Sequence, residues 1–288
     1  MLHFFKFTAK TKSMEYKTAL ITGATDGIGK ALALQLLERD WEVVIIGRSP
    51  RKCADTVEEM KTRSARGRIS AIVADLSSLQ QTREAADRFS TAHSRLDLLV
   101  LNANHIANER IVTAEGHEQN FALGYLSRVL LLKKLENLLA KTTGSQALSV
   151  IGLDTQRLDF DDPTLARQFT GRKALTRWQW AMNLFVRHYA ITSAVPINLY
   201  MPGLVKTKIL SNEPQPMRAF VKIMNLIIGL TPEKAAGNML KVMEDVDRSR
   251  KTGATYAWAK ERSPLKLDTR PGDTERLEAL TNQLIEGQ

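Results

Sequence analysis

A glycine-rich turn that follows the first apolar segment constrains the fold more than any other feature of this chain. The short apolar segment Thr18–Thr22 runs directly into the string TGATDGIG at residues 22–29. Glycines at this spacing let the chain turn tightly and let a pyrophosphate approach the backbone, and the next helix points its N-terminal amides at the phosphates. The string lies between a predicted strand and a predicted helix, which is the context that a dinucleotide-binding turn requires. The residues expected to contact the cofactor are Gly23, Thr25, Asp26, Gly27, Ile28 and Gly29.

Strand-like and helix-like segments alternate along the rest of the chain. Further short segments rich in Val, Ile and Leu lie at 42–46, 69–74, 96–101, 147–151, 197–200 and 255–258. Helical stretches lie at 28–39, 51–63, 79–90, 113–140 and 172–189. Short apolar runs are typical of strands covered on both faces, and this order is typical of a parallel sheet. The sequence therefore predicts an α/β fold, with a Rossmann-like, doubly wound parallel sheet of about seven strands in a single domain.

The residue after the second predicted strand bears on the choice of cofactor. An NAD site usually carries an acidic residue here, which binds the ribose hydroxyls. This chain instead has Arg48, whose guanidinium offers a fork of donors for a 2′-phosphate. The sequence therefore favours NADP(H) over NAD(H).

Three further motifs follow predicted strands and are similar to segments of the short-chain dehydrogenase/reductase (SDR) family. The third strand ends in Asp75-Leu76, which resembles the pair that contacts adenine in the family. The fourth ends in Asn102-Ala103, although Asn104 stands where the family usually has a glycine. The string PGLVKT at 202–207 resembles the motif that lies against the nicotinamide.

The resemblance runs from about Lys17 to about Trp258. The strings TPEKAA at 231–236 and TGATY at 252–256 are similar to segments of retinol-dehydrogenase-like SDRs. The resemblance adds these cofactor-binding positions: Asp75, Leu76, Asn102, Ala103, Lys173, Pro202, Gly203, Val205 and Thr207.

Three of the family's four catalytic positions differ in this chain. The resemblance aligns the catalytic Asn with Gly124, the Ser with Gly152 and the Tyr with Phe169, and it retains Lys173. Phenylalanine can neither donate nor accept the proton that accompanies hydride transfer. Because the family's lysine also holds the nicotinamide ribose, the resemblance implies that cofactor binding is kept while carbonyl activation is lost.

Three functions remain open after this loss. We favour an atypical NADP-dependent reductase of a small hydrophobic metabolite, in specialised or lipid-type metabolism, that reduces an iminium, a conjugated C=C bond or a carbonyl with a surrogate acid. Asp154 is the first candidate for that acid, followed by His105, Tyr125 and Arg172. The alternatives are a non-redox cyclase or isomerase on the same scaffold and an NADP(H)-binding pseudoenzyme.

Composition sets expectations about partners and compartment. The 41 Lys and Arg exceed the 31 Asp and Glu, but no zinc-finger, RNP or helix-turn-helix signature accompanies them. We therefore expect a solvated basic surface with no nucleic-acid partner and no metal site. The single cysteine, Cys53, fits a reducing cytoplasm, and no apolar run approaches the ~20 residues that span a bilayer.

The chain is expected to divide into an extension, one domain and a tail. Residues 1–16 are predicted to form a flexible extension, 17–262 the NADP(H)-binding domain with a substrate lid at 204–232, and 263–288 a C-terminal tail. The aromatic pair Trp178 and Trp180 suits either a hydrophobic pocket or a subunit interface, since the family commonly pairs subunits through this helix. We expect a homodimer or homotetramer.

Overall fold

The computed structural model describes residues 16–205 and 229–286. A β-sheet lies at the centre of this described part. Its strands are β1 Thr18–Thr22, β2 Glu42–Gly47, β3 Arg68–Val73, β4 Leu98–Leu101, β5 Gln146–Val150, β6 Ile197–Met201, β7 Thr255–Ala257 and β8 Lys260–Arg262. They lie in the order β3-β2-β1-β4-β5-β6-β7-β8. The strands from β1 to β7 pair in parallel, and β8 pairs antiparallel with β7. The predicted Rossmann-like α/β fold is confirmed.

Helices cover both faces of this sheet. They are α1 Gly27–Leu37, α2 Pro50–Arg63, α3 Leu79–Ala92, α4 Gln119–Phe121, α5 Ser127–Lys141, α6 Gly171–Thr192, α7 Pro232–Ser249 and α8 Asp273–Glu286. One apolar cluster packs α1 and α7 against one face, and a second packs α3, α5, α6 and α8 against the other. Every residue of β1, β4 and β6 is buried, as expected for strands covered on both sides.

Side-chain caps fix where several helices begin. Asp26, Ser49, Ser78, Thr170 and Thr231 each accept a hydrogen bond from a backbone N–H in the first turn of the helix that follows. Small polar residues are favoured at this position because they satisfy amides that have no partner within the helix. The caps before α1 and α6 hold the two helix starts that approach the candidate site.

The described part of the sheet has eight strands rather than about seven. The additional strand Lys260–Arg262 is short, and all three of its residues are exposed. This strand was not predicted because a charged triplet carries no apolar alternation. The helix predicted over 113–140 also differs, because it begins at Gln119 and contains a π-helical turn at Ala122–Leu126.

The C-terminal segment is part of the packed domain. Helix α8 buries Leu277 and Ile285. The hydroxyl of Thr281 on α8 lies 2.7 Å from that of Tyr125 in the domain. An ion pair of 2.5 Å between Arg157 and Asp273 holds the first turn of α8. What the sequence assigned to a tail is therefore mostly a helix, docked on α6.

The aromatic pair on α6 lies inside the protein. Trp178 and Trp180 are fully buried, and Trp180 donates from Nε1 to the carbonyl of Asp268, 2.7 Å away. Neither indole is exposed to a substrate or to a second subunit. Among the described helices, none has both the length and the apolar content needed to cross a bilayer. Most of the predicted lid, residues 206–228, lies outside the described residues.

Candidate cofactor and active site

The turn between β1 and α1 has the backbone that its glycines predicted. Gly23 and Gly27 have φ values of +65° and +58°, in the left-handed region that favours glycine. A Cβ on Gly23 would lie 2.7 Å from Cα of Ala103, so a side chain there would collide with the backbone after β4. The Asp26 carboxylate accepts from the Gly27 N–H at 2.8 Å and caps α1. Since the side chain of Ile28 is buried, it offers only backbone to a cofactor.

Thr22 and Asn102 join this turn to the end of β4. The hydroxyl oxygen of Thr22 accepts from the amides of Asn102 and Ala103 at 2.8 and 2.9 Å. The side-chain amide of Asn102 donates to the carbonyls of Thr22 and Gly23 at 3.0 and 3.1 Å. Asn102 therefore builds the turn, and its amide is already engaged there. Sequence reasoning missed Thr22, although a hydroxyl that ends a buried strand was a signal.

The ends of β2 and β3 bring Arg48 and Asp75 to the same edge of the sheet. Their closest nitrogen and oxygen lie 3.9 Å apart, and the Arg48 side chain is 65% exposed. Ser77 donates to the Asp75 carboxylate from its amide and its hydroxyl, at 2.9 and 2.7 Å. Leu76 is buried. A cleft of about 670 Å³ opens beside Asp75, so the predicted adenine edge has a fixed carboxylate and open space.

Phe169 and Lys173 flank the start of α6. Thr170 caps the helix by accepting from the Lys173 N–H at 3.1 Å. The ammonium group of Lys173 donates to the side-chain oxygen of Gln168 at 3.0 Å, and Phe169 is half-buried. The ammonium group of Lys173 is thus held by a neutral partner, and its proposed contact with the ribose stays a prediction.

Two side chains of α6 fill the spaces beside the glycines that the resemblance aligns with the catalytic Asn and Ser. A Cβ on Gly124 would lie 2.6 Å from Cγ of Trp178. A Cβ on Gly152 would lie 2.5 Å from the side-chain oxygen of Gln179. Trp178 and Gln179 are both buried. Neither glycine position has room for the family's side chain unless its neighbour on α6 moves.

A buried arginine lies beneath this edge of the sheet. Arg128 donates to the Ser149 hydroxyl at 2.9 Å and to the carbonyls of Val150 and Ala103 at 2.6 and 2.9 Å. Its guanidinium stacks 4.7 Å from the ring centre of Trp178. Burial lowers the pKa of Arg128 to about 9, and its three acceptors are neutral. It ties the ends of β4 and β5 together and places a positive charge close below them.

The candidate surrogate acids are not brought together at one point. Asp154 is exposed and accepts from Arg172 at 2.9 Å, and Arg172 is exposed as well. His105 is exposed, in the segment after β4. The hydroxyl of Tyr125 is bound to Thr281 of α8, and burial raises its pKa above the usual value. The hydroxyl of Tyr125 is therefore engaged with α8 and is not a surrogate acid for the site.

A buried ion pair holds the two segments that border the site. Glu118 caps α4, accepting from Asn120 and Phe121, and its carboxylate lies 2.7 Å from Nη2 of Arg177 on α6. Arg177 also donates to the carbonyl of Pro163 at 2.6 Å. The segment after β4 and the segment after β5 are thus both fixed to α6. Sequence reasoning missed this pair, because its partners are 59 residues apart.

The predicted nicotinamide motif is described only in part. Gly203 has a φ of +75°, and Val205 forms an isolated parallel bridge with Leu230. Pro202 and Gly203 follow β6 directly, at the same edge of the sheet as the glycine turn. Thr207 lies outside the described residues.

Comparisons with known proteins agree with this arrangement. The family model described as short chain dehydrogenase matches residues 17–151. Retinol dehydrogenase 13 of Mus musculus is 29% identical over 199 residues, which are 67% of this chain. Polyprenol dehydrogenase of Homo sapiens is 27% identical over 76% of this chain and 70% of its own length. The aligned region spans 60% of the length of the mouse retinol dehydrogenase.

Solved structures share the fold. An alcohol dehydrogenase from Thermococcus sibiricus, complexed with 5-hydroxy-NADP, aligns with a TM-score of 0.66 at 20% identity and covers 88% of this chain and 100% of its own. Levodione reductase aligns with a TM-score of 0.68 at 15% identity, over 84% of this chain and 96% of its own. At these identities the likeness establishes the fold.

Proposed function

We propose that this protein is an NADP(H)-binding oxidoreductase of the SDR type that reduces a small hydrophobic metabolite without a catalytic tyrosine. The observation that carries the proposal is a contrast within one site. The left-handed glycine turn, Arg48 and Lys173 support the binding of a dinucleotide. By contrast, Trp178 and Gln179 fill the spaces beside Gly124 and Gly152. This contrast supports a site that keeps cofactor binding and does not activate a carbonyl.

The residues present fit a nicotinamide dinucleotide. The amides at the start of α1 would face its pyrophosphate, Arg48 would pair with a 2′-phosphate, and Lys173 would hold the ribose hydroxyls. When bound, NADPH supplies a hydride. Because Phe169 supplies no proton, the favoured acceptors are carbons whose reduction needs no acid at the oxygen, such as a conjugated C=C bond that takes its proton from solvent. The buried charge of Arg128 favours acceptors that develop negative charge over acceptors that are already cationic.

Cofactor binding is the first test. NADPH should bind, with a measurable change in its fluorescence, and it should raise the melting temperature. Arg48→Glu should weaken NADPH by about 10- to 100-fold and leave NADH unchanged or tighter, since one charge-assisted contact is worth about 1.5–3 kcal/mol. Arg51→Glu is the matched control, because Arg51 lies three residues further along the chain, in the first turn of α2, and pairs with Asp55 at 3.8 Å. Equal affinity of the wild type for NADPH and NADH would contradict the assignment of Arg48.

Redox chemistry is the second test. The wild type is incubated with 4-deuterated NADPH and a panel of conjugated enones, iminium ions and saturated aldehydes. Deuterium is expected in the product of an enone and absent from the saturated aldehydes. Cofactor binding without deuterium transfer to any member of the panel would overturn the reductase proposal.

The packing beside the two glycines favours one second candidate, a protein that binds NADP(H) without catalysis. Trp178 and Gln179 are both buried beside the two glycines, so side chains at these positions would need their neighbours on α6 to move. This candidate predicts the same NADPH binding and the same effect of Arg48→Glu. It differs in predicting no labelled product, so the deuterium experiment separates the two.

A further inference from the structure

Trp258 has a backbone conformation that a bulky residue rarely adopts. It follows β7 directly and has a φ of +55°, in the left-handed region. Glycine and asparagine adopt this conformation with less strain, whereas a large side chain there is an outlier. Such strain concentrates at functional positions, where the surrounding structure maintains it. The indole is also 49% exposed, so burial in the core does not account for its presence.

The surrounding contacts hold the indole over the turn that follows β6. The backbone N–H of Trp258 donates to the carbonyl of Met201 at 3.2 Å and extends the pairing of β6 with β7 by one residue. A Cβ on Gly203 would lie 2.9 Å from Nε1 of Trp258, so the ring rests where only glycine leaves room. The guanidinium of Arg262, on β8, lies 5.5 Å from the ring centre. The indole is thus fixed against the predicted nicotinamide motif while half of its surface stays open.

Two other exposed apolar side chains lie on the same edge of the sheet. Leu153, Leu204 and Trp258 follow the neighbouring strands β5, β6 and β7 and are 66%, 38% and 49% exposed. The carboxyl ends of parallel strands meet at one edge, and this is the edge that carries the glycine turn after β1. In open α/β sheets ligands bind outside the carboxyl ends of the strands. These three side chains therefore form an apolar rim on the nicotinamide side of the candidate site.

We propose that Trp258 determines specificity by stacking its indole on a flat, conjugated, apolar part of the substrate. This inference rests on the proposed function and adds the substrate class to it. A rigid ring favours a planar partner in offset or edge-to-face contact, whereas a saturated chain keeps rotational freedom that it must lose on binding. Leu153 and Leu204 add apolar contact without selecting for planarity.

Methyl (2E,4E)-decadienoate and methyl decanoate test the inference, because they match in length and differ in conjugation. Binding of each ester to the wild-type complex with NADP⁺ is measured by calorimetry. The conjugated ester is expected to bind about three- to ten-fold more tightly than the saturated one, in line with the energy of aromatic contacts. Trp258→Gly should bring that ratio close to one, Trp258→Phe should keep most of it, and NADP⁺ affinity should stay within about two-fold in both variants.

Trp258→Gly removes both the indole and the strain of the left-handed backbone, so a variant that relieves the same strain elsewhere is needed. Arg250→Gly is the matched control, since Arg250 also has a left-handed φ, +53°, but ends α7. It should raise the melting temperature and leave the ratio of ester affinities unchanged.

The inference is overturned if the wild type binds both esters equally or binds neither, or if Trp258→Gly keeps the preference. Failure of the proposed function looks different. If NADP⁺ does not bind, the ester ratio is measured on the protein alone, and Trp258 is judged on that ratio.

Discussion

The indole of Trp178 occupies the space in which a side chain on Gly124 would lie, with Cγ 2.6 Å from the position of the added Cβ. The guanidinium of Arg128 stacks on the same indole. Gly152 and Gln179 repeat the relationship one residue further along α6. Trp178 and Gln179 therefore fill the spaces beside the two glycines that the resemblance aligns with catalytic positions.

The first prediction concerns Gly124. Gly124→Ala should lower the free energy of unfolding by about 1–3 kcal/mol, because the added methyl group overpacks a fully buried contact. Urea unfolding measures the change. Gly237→Ala is the control, since Gly237 lies within α7 with its nearest neighbour 3.8 Å from the added Cβ. That variant should gain about 0.5–1 kcal/mol from better helix propensity. An unchanged stability of Gly124→Ala would contradict the close packing of Trp178 on Gly124.

The second prediction concerns the missing tyrosine. Phe169→Tyr alone should not restore reduction of saturated aldehydes, because the spaces beside Gly124 and Gly152 stay filled by Trp178 and Gln179. A positioned general acid is worth about 10²–10⁴ in rate, so a restored site would be obvious in an NADPH oxidation assay. Phe169→Tyr with Gly152→Ser and Gln179→Ala tests the reason directly and should exceed the single variant. Robust aldehyde reduction by Phe169→Tyr alone would refute the argument.

Local sequence signals were sufficient to predict the backbone of the proposed cofactor site. The glycine turn was predictable because Gly23 and Gly27 take left-handed backbone that few other residues adopt. The placement of Arg48 and Asp75 was predictable because both directly follow parallel strands, whose ends share one edge. In each case the function depends on neighbours in sequence or on the order of strands.

The other half depends on contacts between distant segments. Trp178 contacts Gly124 although they are 54 residues apart. Hydrophobic periodicity does not predict which buried indole fills which space. The packing of α8 against α6 was missed for the same reason, and because its amphipathic pattern lies beyond the region of resemblance. Arg128 was missed because an arginine in a helix is usually exposed, and its buried position follows only from its acceptors in distant strands.

The third prediction contrasts two ion pairs that border the site. Arg177→Met should cost about 3–5 kcal/mol of unfolding free energy, because it leaves the buried carboxylate of Glu118 without its partner. Asp154→Asn should cost less than about 1 kcal/mol, since Asp154 and Arg172 are 55% and 83% exposed. Denaturant unfolding of both variants measures the difference. Similar losses in the two would contradict the difference in burial.

Asp154→Asn also tests the surrogate acid. An exposed carboxylate that is paired with Arg172 is expected to leave any reductase rate within about two-fold, because the proton then comes from solvent. A loss of about 10² or more, with unchanged NADPH affinity, would instead identify Asp154 as the proton donor.

The fourth prediction concerns pH and the docking of α8. The hydrogen bond from Arg157 holds the pKa of Asp273 below its ordinary value of 3.8. A carboxylate whose pKa is lowered on folding stabilises the protein above its unfolded pKa, and this contribution is lost as the pH falls through the folded pKa. The wild type should therefore be more stable than Asp273→Asn at about pH 6, and the gap should narrow below about pH 4.

Urea unfolding at several pH values measures that gap, and Asp161→Asn provides the control. Asp161 is exposed and lies 3.9 Å from Arg276, so its replacement should shift stability little at any of these pH values. Hydrogen exchange gives a second readout of α8 packing, because α8 buries Leu277 and Ile285 against the rest of the protein. Amides of α8 should exchange with deuterium faster in Asp273→Asn than in the wild type, while those of β1 and β4 stay protected. Equal exchange in α8 would mean that the apolar contacts hold the helix without the ion pair.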